Sequence, residues 1–162
     1  MRHTISVLVE NEFGVLSRVS GLFSGRGFNI ESLCVAETID PQISRMTIVT
    51  CGNEKILEQI EKQLNKLINV IKVVDHSCGE SVERELVLIK VCAEPEARAE
   101  VLRIVDIFRG KVVDVAPKTY TVEVTGSEGK IAAIIEMLKP LGIKEIARTG
   151  KIAMGRGGKT LR

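Results

Sequence analysis

The chain contains no tryptophan, and its only aromatic residues are four phenylalanines and one tyrosine among 162 positions. Proteins that bind single-stranded nucleic acid stack bases on exposed aromatic side chains between basic residues, so this composition argues against that function. No apolar run reaches the roughly 20 residues that a membrane span needs, because charged residues from Glu10 to Glu31 interrupt the N-terminal third. Glu10 and Asn11 also interrupt the apolar stretch of a signal peptide, so we expect a cytoplasmic protein.

The usual sequence patterns of metal sites are also missing. The four cysteines are at least 14 residues apart, and no Cys-x-x-Cys pair exists. His3 and His76 share no ligand-like spacing with them. Cys34, Cys51 and Cys92 lie inside apolar strand-like runs, where cysteine behaves as a small hydrophobic residue. We therefore predict buried structural thiols and no metal site.

Positive charge is concentrated near the C-terminus. From Lys139 onward the chain carries seven basic residues and one acidic residue, a net charge of +6, so residues 1–138 carry −4. A basic tail can serve nucleic acid binding, an acidic partner surface or solubility. The tail has no aromatic residues and the chain shows no helix-turn-helix, which disfavours nucleic acid.

Apolar periodicity in the first half predicts the order βαββαβ. Strand-like alternation over residues 3–10 is followed by a helical stripe that begins at Val15 and ends before Gly25. Two further strands follow, then a helix for which Asn53 is the expected N-cap. A last strand at residues 70–75 completes the unit.

The second half repeats this order, with Ser127 as the expected cap of its second helix. The order is that of the split βαβ, or ferredoxin-like, topology. We therefore predict an α+β protein with two such domains in tandem: residues 1–76, a linker at 77–84, and residues 85–162 with the basic tail. Each sheet leaves one face bare, and homodimerisation would be an economical way to cover it.

No set of titratable residues in the sequence forms a convincing catalytic site. His3 lies near a terminus and His76 lies beside the linker, and neither has a nucleophile and a carboxylate in register. Acidic residues such as Glu54, Glu58 and Glu61 fall at exposed helix positions. We therefore assign no catalytic residue.

The segment between the first strand and the first helix is the most informative for binding. The N–H groups of Gly14, Val15 and Leu16 are unsatisfied donors at a helix N-terminus, which suits a carboxylate. Gly14 lets a ligand approach the backbone, and Asn11 offers a donor and an acceptor for an ammonium and a carboxylate. An ordinary glycine-containing turn capped by Asn11 explains the same residues, and these residues alone leave both interpretations open.

Longer runs of sequence resemble a known family. The loop from Glu10 to Val19 resembles the effector loop of ACT domains. Other runs are similar to the regulatory small subunits of acetolactate synthase, also called acetohydroxyacid synthase. They are Gly21–Ser24, Arg26–Leu33, Ser44–Ile48, Val82–Leu86 and Phe108–Val115.

This resemblance implies a homodimer formed through the ACT domains that binds a branched-chain amino acid, typically valine, at the interface. Asn11 and Gly14 match contact positions in one protomer, and Asn29 matches the position contributed by the other. The implied effector site consists of Asn11, Gly14, Val15, Leu16, Asn29 and Ile30. The candidates for its apolar slot are Val9, Leu16, Ile30 and Val35. One methylene is worth only about 1–3 kcal/mol in such a slot, so valine, leucine and isoleucine are weakly distinguished.

The resemblance also implies a role without catalysis. Such subunits activate a catalytic large subunit and confer feedback inhibition in isoleucine, leucine and valine biosynthesis. Thiamine diphosphate, a divalent metal and usually FAD belong to the large subunit, and none is expected in this chain. In the second half, Cys92-Ala93-Glu94-Pro95 replaces the Asn-x-x-Gly loop, so we do not expect that copy to bind an amino acid in the same way.

Two other classes of protein share features with this sequence. One is a free-standing ACT-type sensor or transcriptional regulator, which the absence of a DNA-reading element disfavours. The other is a small ferredoxin-like enzyme, for which the sequence offers no convergent acid and base.

Overall fold

A computed structural model of the chain describes residues 1–77 and 79–161, which fold into two compact units. The first unit comprises Met1–Val82 together with the segment from Lys151 onward, and the second comprises Glu83–Gly150. These boundaries differ from the expected ones in two respects. A strand begins at Ser81, inside the expected linker, and the C-terminal segment belongs to the first unit instead of the second.

The first unit has the predicted order βαββαβ. Its sheet has the strand order β2-β3-β1-β4, and each neighbouring pair is antiparallel. Ile5 of β1 lies opposite Ile48 of β3, and both side chains are fully buried in the core. The elements are β1 (Arg2–Glu10), α1 (Val15–Ser24), β2 (Ile30–Glu37), β3 (Ile43–Cys51), α2 (Glu54–Leu64) and β4 (Val70–Asp75).

Local sequence explains both helices of this unit. Val15, Val19 and Phe23 of α1 recur at helical spacing and are buried against the sheet. The side chain of Asn53 accepts a hydrogen bond of 3.0 Å from the N–H of Ile56, so its prediction as the N-cap of α2 is confirmed.

The second unit repeats the order, with the sheet order β6-β7-β5-β8. The predicted fold class, α+β with two ferredoxin-like units, is therefore confirmed. Ser127 precedes α4 as expected but makes no capping hydrogen bond through its side chain. The elements are β5 (Ser81–Cys92), α3 (Arg98–Ile107), β6 (Lys111–Val115), β7 (Thr119–Gly126), α4 (Glu128–Leu138), a 3₁₀ turn (Lys139–Leu141) and β8 (Ile143–Arg148).

The sequence did not predict a further strand, β9 (Ile152–Gly155), which pairs with β5. The N–H of Arg156 donates to the carbonyl of Glu80 at 3.0 Å, and the N–H of Lys151 donates to Ser32 Oγ on β2 at 3.1 Å. The C-terminal segment thereby covers part of the sheet face that the sequence left bare.

The prediction of buried thiols is wrong for Cys51. Its side chain is exposed at the end of β3 and donates to Glu31 Oε1 at 2.9 Å. Because this bond favours the protonated thiol and the ionised carboxylate, it raises the pKa of Cys51 and lowers the pKa of Glu31. Cys34 and Cys92 are partly buried, and Cys78 lies outside the described residues.

Among the described residues, none of the helices has the length and apolar character needed to cross a membrane. In the same part of the chain, His, Cys, Asp and Glu side chains form no cluster of three or more that could hold a metal ion.

Candidate functional site

The loop between β1 and α1 ends in a glycine with an unusual backbone. Gly14 has φ +83° and ψ −4°, a left-handed conformation that glycine adopts without the strain of a Cβ atom. The next residue, Val15, is the first of α1, and the Gly14 carbonyl accepts the N–H of Arg18 at 3.0 Å. The sequence indicated a ligand approach at Gly14, and the space around its Cα is open, because a Cβ atom built there meets nothing within 4 Å.

The N-terminus of α1 keeps free backbone donors. No side chain in the described part of the structure caps it, and its first turn contains no acidic residue. The N–H of Val15 makes only a long contact of 3.4 Å with the Glu12 carbonyl. Within the described residues, the N–H groups of Leu16 and Ser17 have no acceptor. This end of the helix therefore carries the partial positive charge that attracts a carboxylate.

Asn11 is held against the turn between β2 and β3. Its backbone N–H donates to the Gln42 carbonyl at 2.7 Å. Its side-chain Nδ2 donates to the Pro41 carbonyl at 2.9 Å and to Glu37 Oε1 at 3.3 Å. Both amide hydrogens are thus used within the chain, and Oδ1 remains as an acceptor. Asn11 can therefore receive a hydrogen bond from an ammonium, but it has no donor left for a carboxylate.

Asn69, which the sequence analysis missed, holds the other side of the loop. Its Nδ2 donates to Glu10 Oε2 at 2.8 Å and to Glu12 Oε2 at 3.1 Å, and its Oδ1 accepts from Arg18. Its carbonyl also accepts the N–H of Glu10 at 2.9 Å. The sequence offered no signal for this role, because an asparagine between a helix and a strand is typical of any turn.

Asn29 and Ile30 lie at the opposite end of the same sheet. Ile30 lies opposite Thr50, which in turn lies opposite His3 at the start of β1. The candidate loop follows Glu10, seven residues further along β1, which corresponds to about 24 Å at roughly 3.4 Å per residue. A single chain therefore does not bring Asn29 to Asn11 and Gly14.

The apolar candidates divide into buried and accessible side chains. Val9 and Val15 are buried in the core of the first unit, and Ile30 packs partly against it. Leu16 is 45% exposed and Val35 is 39% exposed. Only these two leave a large part of their side chains available to a ligand, whereas Val15 can contribute only its backbone.

The start of β2, near Asn29, carries polar and charged groups. The Asn29 carbonyl accepts from Thr50 Oγ1 at 2.7 Å, and the Asn29 side chain is exposed. Close by, Glu31 accepts from Arg2 Nε at 2.6 Å. Hydrogen bonds from Cys51 and Arg2 lower the pKa of Glu31, so its carboxylate stays ionised beside Asn29.

The chain has two antiparallel βαββαβ units, and the first has an uncapped helix N-terminus behind a left-handed glycine. These features define the class of tandem ferredoxin-like proteins with an N-terminal ACT-type domain. Residues 5–72 match the family described as AHAS small subunit-like ACT domain. Residues 84–157 match the family described as small subunit of acetolactate synthase.

Relatives over the whole chain agree with these matches. A probable acetolactate synthase small subunit of Archaeoglobus fulgidus is 56% identical, over 98% of this chain and 99% of its own length. The acetolactate synthase isozyme 3 small subunit of Escherichia coli is 52% identical, over 100% of both chains. The crystal structure of the acetolactate synthase small subunit from Thermotoga maritima has a TM-score of 0.89 and 43% identity, and the match covers 98% of this chain and 99% of that one.

The chain belongs to the family of acetolactate synthase small subunits. The family that the sequence resembles is therefore confirmed as the family of this chain.

Proposed function

We propose that this chain is a regulatory subunit that activates a catalytic acetolactate synthase large subunit and makes it sensitive to a branched-chain amino acid, with valine as the effector. The observation that carries the proposal is the free helix N-terminus behind Gly14, in the same loop as Asn11, whose Oδ1 is left as an acceptor. The large subunit, in the cytoplasm, would carry thiamine diphosphate, a divalent metal and, as is usual in the family, FAD. This chain would supply the effector site and no catalysis.

The loop has complementary groups for both ends of a free amino acid. The N–H groups of Leu16 and Ser17 point to the site where the effector carboxylate binds, and the helix dipole favours that charge. Asn11 Oδ1 accepts from the ammonium. The exposed part of Leu16 contacts the aliphatic side chain. One chain thus provides three of the contacts, and the ammonium retains hydrogens for a second acceptor.

A second copy of the chain can provide that acceptor through the edge strand β2. If two β2 strands pair antiparallel around a two-fold axis, either Leu33 or Cys34 lies opposite itself. Asn29 of one copy then lies opposite Glu37 or Ile39 of the other. Since Glu37 accepts from Asn11, this pairing brings Asn29 to the effector loop that its own chain keeps about 24 Å away. Homodimerisation through β2 therefore completes the site.

Calorimetry on the isolated protein tests the contacts to both ends of the effector. We expect valine to bind, whereas valinamide, which lacks the carboxylate, and isovalerate, which lacks the ammonium, should each bind at least about tenfold more weakly. Binding of isovalerate as tight as that of valine would contradict the role of Asn11 and Asn29. Absence of valine binding by folded, dimeric protein would contradict the effector site itself.

Cross-linking at Cys34 tests the proposed dimer. In either register the two Cys34 residues lie about 5 to 8 Å apart, within reach of a short bifunctional maleimide. We expect a covalent dimer that disappears in Cys34→Ser and persists in the matched variant Cys92→Ser. Persistence of the dimer band in Cys34→Ser would place the interface elsewhere.

Reconstitution with the large subunit from the same organism tests the regulatory role. We expect the two chains to co-purify, the acetolactate-forming rate to rise, and valine to reverse part of that rise. The small chain alone should form no acetolactate from pyruvate. A rate that is the same with and without this chain would contradict the proposal.

A further inference from the structure

The C-terminal residues 151–156, which we call the strap, return to the first unit after the last strand of the second. The Lys151 N–H donates to Ser32 Oγ at 3.1 Å. The Ala153 carbonyl accepts from Arg45 Nη2 and, at 3.5 Å, from Ser6 Oγ. Ala153 is only 2% exposed. The strap is therefore held by hydrogen bonds on the sheet face that points away from the two helices.

The part of that face under the strap is polar. Ser6 and Thr47 are buried there, and Ser6 Oγ lies 2.9 Å from His76 Nε2. Arg45 is half-buried among them and also donates to Ser6 Oγ at 3.3 Å. Undocking the strap returns hydroxyl groups and a guanidinium to water, where they find new partners. Undocking also exposes the small Ala153 side chain and breaks the pairing of β9 with β5, and among the side-chain hydrogen bonds that are lost, the one from Arg45 is charge-assisted and the strongest.

The strap also contacts β2, the strand that begins at Ile30 of the candidate site and directly follows Asn29. Ser32 lies on β2, two residues after Ile30 and three after Asn29. Arg45 lies on the neighbouring strand β3, opposite Ala36 of β2. The docked residues 151–153 therefore contact β2 directly and also contact the strand beside it.

We propose that the strap is a reversible latch, whose docking on Arg45 and Ser32 holds β2 in the position that binds the effector. This inference rests on the proposed function, because it assigns a regulatory element to the same site. By thermodynamic linkage, if a docked strap raises effector affinity, then bound effector must favour the docked strap. A strap that is merely structural would stay docked whether or not effector is present.

Limited trypsin digestion of the full-length dimer reports the docked state, because cleavage after Lys151 requires the strap to leave the sheet. We expect Arg45→Met to speed this cleavage about tenfold or more, since it removes a charge-assisted hydrogen bond and keeps an apolar stem. The matched control is Arg103→Met, which removes an arginine on α3 that forms an ion pair of 3.2 Å with Glu100 in the second unit. Its cleavage rate after Lys151 should equal that of the wild type.

Valine supplies the second arm of the experiment. In the wild type, saturating valine should slow cleavage after Lys151 about threefold or more. In Arg45→Met and in Ser32→Ala, the Kd for valine measured by calorimetry should rise about threefold or more. Ser32→Ala removes only the partly buried hydroxyl that accepts the Lys151 N–H, so it tests the latch even if Arg45→Met folds poorly.

The outcomes separate the latch from the proposed function. If Arg45→Met and Ser32→Ala are both cleaved after Lys151 at the wild-type rate without valine, these two residues do not hold the strap. That result would overturn the latch regardless of any effect of valine. Faster cleavage with an unchanged Kd would overturn the coupling to the effector site. If the wild type binds no valine, valine is not the effector and the proposed coupling of valine to the strap is wrong as well. The digestion without valine still decides whether Arg45 and Ser32 hold the strap.

Discussion

Replacing Gly14 with aspartate should abolish effector sensitivity through charge. The new carboxylate would lie at the N-terminus of α1, where we place the carboxylate of the amino acid. Two unit charges about 4 Å apart repel by about 1 kcal/mol in a water-like dielectric and about 4 kcal/mol at an effective dielectric constant of 20. The valine concentration for half-inhibition should therefore rise between about fivefold and about a thousandfold.

The backbone at Gly14 adds a second effect that must be separated from charge. At φ +83° any residue with a Cβ atom is strained, by about 1 kcal/mol, although aspartate and asparagine tolerate this region better than other residues. Apart from Gly14 itself and its two chain neighbours, no described atom lies within 4 Å of the added Cβ, so steric overlap does not contribute. Gly14→Asn is the matched control, because it has the same shape and the same backbone strain without the charge.

Both variants should be assayed as reconstituted pairs with the large subunit, across a valine titration. We expect Gly14→Asp to lose inhibition, Gly14→Asn to keep most of it, and both to activate the large subunit. Full valine sensitivity in Gly14→Asp would refute binding at this loop. Equal resistance in both variants would show that backbone strain, and not carboxylate repulsion, is responsible.

Three further predictions concern stability. Asn53→Ala should lower the free energy of unfolding by about 1 kcal/mol in urea denaturation, while Ser127→Ala, whose side chain makes no capping bond, should change it little; equal losses would contradict the assigned caps. Arg148→Met should cost about 2–3 kcal/mol by the same measurement, because buried Glu85 loses its two bonds of 2.7 and 2.8 Å, and adding Glu85→Leu should recover most of it. Burial, with repulsion from nearby acids, raises the pKa of Glu61. Folding therefore favours protonated Glu61, and the ionised form destabilises the fold at neutral pH. Glu61→Gln should raise Tm at pH 7 but not below about pH 4, where Glu61 is protonated in both the folded and the unfolded chain. A gain in Tm that does not depend on pH would contradict this cause.

At the effector loop, the local sequence predicted the helix N-terminus but not the contacts with distant residues. A glycine before a helical stripe predicted a helix N-terminus open to a ligand, and α1 does begin directly after Gly14. The use of both Asn11 amide hydrogens depends on Glu37 and Pro41, at the turn between β2 and β3, which lie 26 and 30 residues further along the chain. Sequence spacing carries no information about that contact.

The sequence alone predicted the four α-helices and the strands β1–β8 in their order along the chain, because strand alternation, helical stripes and glycine stops are properties of neighbouring residues. The tertiary structure decided which distant residues meet. Strand register put Asn29 and Asn11 at opposite ends of one sheet, and the C-terminal segment docked on Ser32, more than 100 residues earlier in the chain. The strap carries only a short alternation from Lys151 to Met154, and its hydrogen bonds with Ser32 and Arg45 are made by its own backbone. Because every residue offers the same backbone donors and acceptors, side-chain pattern could not reveal where this segment would bind.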